Sequence, residues 1–374
     1  MNETSTVYAH VEGGNTELLW EDDERRFFRV WRGVADHDRQ AYIAVRPARE
    51  QGGDDSAARL AHEFALRDAL ETTWALRPLA QVRDSGVLTL LVQDCDGRPL
   101  ERAFTAPLDG KQFLSASVAL AHAVARMHSC GIVHKNIKAA NILVDAAGDR
   151  AWLTGFGVAT RLPREHQRPE PPEFIAGTLS HMAPEQTGRM NRSIDSRSDL
   201  YALGVTLYRL LTGVLPFTAT EPMDWVHCHV ARRPESPVTR VPTVEPQVAA
   251  IVMKLLAKTP EDRYQTASGV EQDLRRCLAS LEAGDEIGVF PLAERDRPER
   301  LLIPERLYGR NDDIDALVSV FDLVLRDGRP RFVLVRGLPG IGKSSVVNEL
   351  HKALVPARGL FVSGKFDQLS RDVP

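Results

Sequence analysis

The sequence predicts an α+β unit followed by the opening part of an α/β unit, and three observations carry that reading. Short runs rich in β-branched and aromatic residues fall between residues 17 and 93. Residues 114–281 place apolar side chains at helical spacing instead. Near the far end, an apolar run at 331–336 leads straight into a glycine-rich turn and another helical pattern.

Residues 1–15 are polar and are expected to be loose. Strands are predicted at 17–20, 26–32 and 40–46, separated by charged turns. Ala57, Leu60, Ala61 and Phe64 predict a helix over 56–70, and strands at 79–83 and 87–93 complete a set of five. Leu114, Val118, Ala121, Ala125 and His128 step by four and three, which predicts an amphipathic helix. The run 200–211 is apolar on nearly all sides and stops at Gly213, as a buried helix with a glycine C-cap would. Further helices are predicted at 222–229, 248–257 and 267–281. Residues 283–307 hold three prolines and many charges, a linker composition. A helix at 311–325 and a strand at 331–336 follow.

Composition narrows the function classes. A chain of 374 residues has room for two or so domains with ample cores. With 43% hydrophobic and 26% charged residues it reads as an ordinary soluble protein. A net charge of -4 gives no electrostatic reason to expect nucleic acid or an anionic membrane. Cys95, Cys130, Cys228 and Cys277 are scattered, which argues against disulfides and a zinc site. Neither a long apolar run nor a signal peptide is visible, so a cytoplasmic location without membrane insertion is expected. His227-Cys228-His229 beside Trp225 is read as helix packing in preference to a metal site, and Arg232-Arg233 as solvated surface.

The most informative stretch runs from His134-Lys135-Asn136-Ile137-Lys138 to Asn141, then to Thr154-Gly155-Phe156-Gly157. It resembles the catalytic and magnesium loops of the Ser/Thr protein kinase family, which read H-R-D-x-K-x-x-N and D-F-G. The resemblance extends over about residues 16–282, through Met182-Ala183-Pro184-Glu185, Ser198-Asp199-Leu200-Tyr201 and Arg263, which matches the arginine that pairs with Glu185. It implies the α+β bilobal protein-kinase fold, with an N-lobe at about 16–93 and a C-lobe at about 94–282.

Carried over residue by residue, the resemblance implies that Asn136 stands at the catalytic-base position and Gly155 at the magnesium-aspartate position. Lys138 matches the family, as does Asn141, a magnesium ligand there; His134 and Phe156 match the packed spine. The third-strand lysine is Arg46, with Glu63 as its expected helix partner. Where the family has a glycine-rich cover loop, this chain has Glu21-Asp22-Asp23-Glu24, four carboxylates that would repel a triphosphate. An amide cannot accept a substrate proton as a carboxylate does, and glycine offers no metal ligand. Between Arg161 and Ala176 there is no serine, threonine or tyrosine to act as a phosphorylation switch; Thr160 and Thr178 only flank the span.

Gly337-Leu338-Pro339-Gly340-Ile341-Gly342-Lys343-Ser344 is a complete P-loop pattern. Its glycines let backbone N–H groups close on phosphate, Lys343 would reach the outer phosphates and Ser344 would hold Mg2+. Tyr308-Gly309-Arg310 resembles the box that opens AAA-type and STAND-type ATPases. Residues 308–374 therefore read as an incomplete α/β P-loop NTPase segment, lacking the later acidic strand. The whole resembles the front part of large multi-domain signalling proteins, in which a kinase-like domain precedes an ATPase and a sensor histidine kinase. Three readings stay open: a pseudokinase regulatory module joined to an ATP-binding segment, acting through protein partners or downstream signalling modules; a live kinase using Asn141 and a water; and a kinase-fold scaffold that binds no nucleotide.

Overall fold

The computed structural model describes residues 16–32, 40–48, 54–84, 86–161, 164–165, 177–190, 192–298, 307–338, 340–350 and 354. The polar start and most of 161–176 lie outside these residues. Five antiparallel strands form the first sheet: β1 (Glu17–Glu21), β2 (Arg25–Arg32), β3 (Gln40–Pro47), β4 (Pro78–Asp84) and β5 (Val87–Gln93). Their spatial order is β1-β2-β3-β5-β4, with Phe27 opposite Val45 in the β2–β3 register. Alternation sorts the side chains by face. Phe27, Ile43, Val45, Leu90 and Val92 pack with Trp20 and with Leu60 of α1 (Asp54–Ala65), while Val30, Ala44, Val82 and Leu91 form a cluster of their own. Helix α1 is shorter than the 56–70 predicted. The chain tightens into a 3-10 turn at Arg67–Ala69, and Leu66 and Leu70 on either side of that turn are buried in the large core.

A second, three-stranded sheet joins β6 (Arg98–Pro99), β7 (Ile142–Val144) and β8 (Ala151–Leu153) beneath the first. The helical lobe contains the short α2 (Leu100–Ala103), α3 (Gly110–Ser129), α4 (Ser196–Thr212), α5 (Pro222–Val230), α6 (Pro237–Arg240), α7 (Pro246–Leu255) and α8 (Ala267–Glu282). Asp109 caps α3 by accepting the Gln112 N–H, and Thr266 caps α8 by accepting that of Gly269. Helix α4 is buried almost throughout and ends at Gly213 with φ 77°, as its apolar composition predicted. At Gly204 a Cβ would stand 2.7 Å from that of Leu255, so glycine lets α4 and α7 meet closely.

Residues after α8 begin as packed chain, although their composition reads as a linker. Ile287 and Phe290 are buried, and Gln247 Nε2 donates to the Phe290 carbonyl at 2.8 Å. Asp296 accepts the backbone N–H of Thr266 at 2.9 Å. Beyond 306 come α9 (Asn311–Asp327) and α10 (Lys343–Asn348). The strand predicted at 331–336 does not form among the described residues. A strand needs a neighbour to take its N–H and C=O groups, and here Phe332 and Leu334 are exposed at 89% and 58%.

Candidate functional site

The loop between α3 and β7 is built around one buried carboxylate. Asp199, in the first turn of α4, accepts the backbone N–H groups of His134 and Lys135 at 2.8 Å each and meets His128 Nε2 at 2.9 Å. Lys135 is thereby held at φ 64°, a conformation few L residues adopt. The His134 ring lies 3.1 Å from the Thr154 carbonyl and 4.8 Å from the centre of the Phe156 ring. Burial pushes its pKa down to about 4, against the raising pull of Asp199. His134 and Phe156 are therefore packed spine, as the resemblance implied.

The degenerate positions converge in the cleft above. Asn136 is buried, and its Oδ1 accepts from the Thr178 hydroxyl at 2.9 Å. The amide at the position that the resemblance gives to the base thus has a hydroxyl partner. Asn141 Nδ2 donates to the Asn136 carbonyl at 2.8 Å. Its Oδ1 accepts from Arg25, which also pairs with Asp22 at 3.1 Å. Lys138 lines the adjoining opening with Asp22, Asp23 and Thr178, so the acidic turn and the retained lysine face one space. Gly155 has φ 85°, and its N–H donates to Glu63 Oε1 at 3.2 Å.

That last contact corrects an expectation. Glu63 does not pair with Arg46; it faces Gly155 and the field of Arg25, while Arg46 lies over the Phe28 ring at 5.5 Å. Desolvation pushes the Glu63 carboxyl above its ordinary range, opposed by Arg25 and the N–H groups of Gly155 and Phe156. The planar fork of Arg46 lies against that aromatic face.

Two contributors escaped the sequence reading. One is Arg25, which lies between the acidic turn and the strand expected at 26–32 and was given no role. The other is Glu165, whose carboxylate meets Lys135 Nζ at 2.9 Å. Backbone bonds between Glu165 and Ile194, at 3.0 and 2.7 Å, pin that point of the segment. The only signal for it in the sequence is an acid in a stretch without serine, threonine or tyrosine. The His227–His229 cluster is packing: His229 stacks on Trp225 and its Nδ1 meets the Tyr201 hydroxyl at 2.9 Å. Among the described residues no group of three or more His, Cys, Asp or Glu is arranged to hold a metal.

In the second unit, Gly337, Gly340 and Gly342 have φ of 159°, 79° and 91°; the last two lie where side chains are disfavoured. Lys343 Nζ donates to the carbonyls of Gly337 and Leu338 at 2.8 Å each, curling the loop around its own lysine. Arg310 reaches the same loop, donating to the Ile341 carbonyl at 3.1 Å. Ser344 follows Lys343 in the first turn of α10.

The protein kinase domain profile matches residues 27–274. The chain belongs to the protein kinase family. A second profile, the AAA ATPase domain, matches residues 306–374. Hybrid signal transduction histidine kinase G of Dictyostelium discoideum is 32% identical over 223 residues, covering 54% of this chain and 6% of that protein. Serine/threonine-protein kinase PknB of Mycolicibacterium smegmatis is 36% identical over 168 residues, 45% of this chain and 26% of that protein. Serine/threonine-protein kinase Pkn1 of Myxococcus xanthus is 34% identical over 220 residues, 58% of this chain and 30% of that protein. This chain thus spans less than a third of each of these relatives.

Kinase and AAA domains use ATP and Mg2+ in general. The P-loop pattern keeps Lys343 and Ser344, and among the described residues nothing stands within 4 Å of a Cβ built at Gly340 or Gly342. In the kinase-like cleft Gly155 offers no side-chain oxygen, and Asn141 Oδ1 accepts from the Arg25 guanidinium. No helix among the described residues is long and apolar enough to cross a membrane.

Proposed function

We propose that the kinase-like domain is a pseudokinase that serves as a binding or regulatory module in a cytoplasmic signalling protein, coupled to an AAA domain that handles ATP through Gly337–Ser344. The observation that carries this is the state of Asn136. Its Oδ1 accepts from Thr178, and an amide has no basicity with which to take a substrate hydroxyl's proton. Gly155 removes a magnesium ligand from the same cleft, and Asp22 and Asp23 line the opening beside Lys138. What survives is the framework: Asp199 on the loop backbone, and the buried Glu185–Arg263 pair. A module that keeps its framework while losing its chemistry suits recognition by protein partners or by downstream signalling modules. The buried Arg25–Asn141 contact favours the reading in which the cleft contributes as a folded scaffold over one of a live kinase working through Asn141 and a water.

The test is labelled-phosphate transfer by the full chain carrying Lys343→Ala, so that the P-loop is silent. No transfer to itself or to generic substrates is expected. Robust transfer that disappears on adding Lys138→Ala would overturn the proposal.

A further inference from the structure

Asn141 and position 155 are the two places that the family resemblance gives to the metal, and a protein group stands between them. We infer that Arg25 is a resident cation: its guanidinium occupies the metal position between Asn141 and Gly155, so this cleft takes no divalent ion. The inference deepens the pseudokinase reading and rests on it.

The guanidinium is held from several sides. Arg25 opens β2 directly after the acidic turn, and Asp22 fixes that turn by accepting the N–H groups of Glu24 and Arg25 at 2.8 and 2.7 Å. Asp22 then pairs with Arg25 Nη2 at 3.1 Å. The same Nη2 donates to Asn141 Oδ1, 116 residues away in sequence, and Nη1 reaches the Thr154 hydroxyl at 3.4 Å. The guanidinium carbon lies 4.9 Å from the centre of the Phe27 ring, and the residue as a whole is only 6% exposed. The Glu63 carboxyl, raised by burial, is pulled back down by the nearby Arg25 charge. An ordinary surface pair between residues three apart would need neither this burial nor these distant acceptors.

Gly155 supplies the complementary half. A Cβ built there would stand 2.9 Å from Arg25 Nη1 and 2.9 Å from Asn141 Oδ1. An aspartate at 155 must push aside the ends of both side chains, and without that aspartate position 155 offers a metal no carboxylate. The two departures from the family pattern are therefore halves of one substitution. A fixed monovalent charge replaces an exchangeable divalent ion, and the acidic turn that would repel a triphosphate serves as the anchor of that charge.

The test uses the full chain with Lys343→Ala as parent, so that metal and nucleotide at the P-loop do not contribute. Retained Mn2+ is read by electron paramagnetic resonance, ATP affinity with Mg2+ and with EDTA, and unfolding by tryptophan fluorescence. The parent should retain no Mn2+ and bind ATP, if at all, equally with Mg2+ and EDTA. Gly155→Asp alone should lower the melting temperature without gaining Mn2+. Arg25→Ala/Gly155→Asp should retain Mn2+ and bind ATP about tenfold more tightly with Mg2+ than with EDTA. The thermal cost of Gly155→Asp should also be smaller in the Arg25→Ala background, because strain from φ alone would be the same in both. Arg25→Met, which keeps the stem over Phe27, replaces Arg25→Ala if that variant folds poorly. Mn2+ held by the parent and lost on Asn141→Ala overturns the inference, as does a folded double variant without Mn2+. Phosphate transfer by the parent would instead overturn the pseudokinase reading, and metal held at Asn141 without transfer leaves that reading standing.

Discussion

Removing Arg263 should unfold the kinase-like domain at a distinctly lower temperature, and the structure sets the size of the effect. Its guanidinium forms a two-point pair with Glu185, Nη1 to Oε1 at 2.7 Å and Nη2 to Oε2 at 2.8 Å, with both side chains fully buried. It also donates to the carbonyls of Ala257, Arg197 and Lys258 at 2.7, 2.9 and 3.0 Å, stitching α4 to the turn after α7. Arg263→Ala takes one donor from each of those carbonyls and leaves the Glu185 carboxylate only the Ser198 hydroxyl, at 2.7 Å. Breaking a buried pair from one side costs about 3–5 kcal/mol. At about 2–4 °C per kcal/mol for a domain of this size, the melting temperature should fall by roughly 6–20 °C. Tryptophan fluorescence isolates the right transition, because Trp20, Trp31, Trp74, Trp152 and Trp225 all precede the P-loop unit. Arg240→Ala, which breaks a half-exposed pair with Glu235, is the control and should cost less than about 1 kcal/mol. If Arg263→Ala melts within about a degree of the parent, the pair is not what joins these elements. Replacing both partners with leucine should recover part of the loss, since a buried carboxylate is no longer stranded.

Acid should destabilise the same domain over a defined window. Burial lowers the pKa of His134 to about 4 and those of His181 and His229 to about 3, so between pH 6.5 and 4 the unfolded chain binds protons that the folded one does not. Stability from these groups is complete above pH 6.5 and falls with pH, by about 3 kcal/mol at pH 4 for His134 alone; a melting temperature flat from pH 7 to 4.5 would contradict this. Gly204→Val should overpack the α4–α7 contact by about 1–3 kcal/mol, read as a lower urea midpoint; an unchanged midpoint would mean the helices separate freely. Lys343→Ala should weaken binding of a fluorescent ATP analogue by about tenfold or more, as expected for a lost charged hydrogen bond, while leaving the tryptophan melting transition in place. Binding unaffected by that change would move the nucleotide away from the P-loop.

Much of this protein is written locally. The alternation of β2 and β3, the capped α3, the apolar α4 ending at Gly213 and the loop from His134 to Asn141 each lie in one short stretch, where spacing determines geometry. The P-loop glycines belong to the same class, since a backbone that must enclose phosphate announces itself in composition. The family and its two-lobed fold could therefore be read from residue order, as could the amide at 136 and the glycine at 155 where the family pattern has aspartates. The strand at 331–336 shows the limit of such reading: an apolar run becomes a strand only beside another strand, and its own sequence does not supply one. Charge pairing lay further out of reach. The expected partners Arg46 and Glu63 part company, Lys135 takes Glu165, and Arg25 crosses the cleft to Asn141. Long charged side chains have several acceptors in range, and the choice among them is made by burial, which penalises any charge left unmatched. Burial is a property of the assembled lobes. The sequence alone determined that an amide at 136 and a glycine at 155 stand where the family pattern has aspartates; only the folded structure brings the Arg25 guanidinium against Asn141 and Gly155.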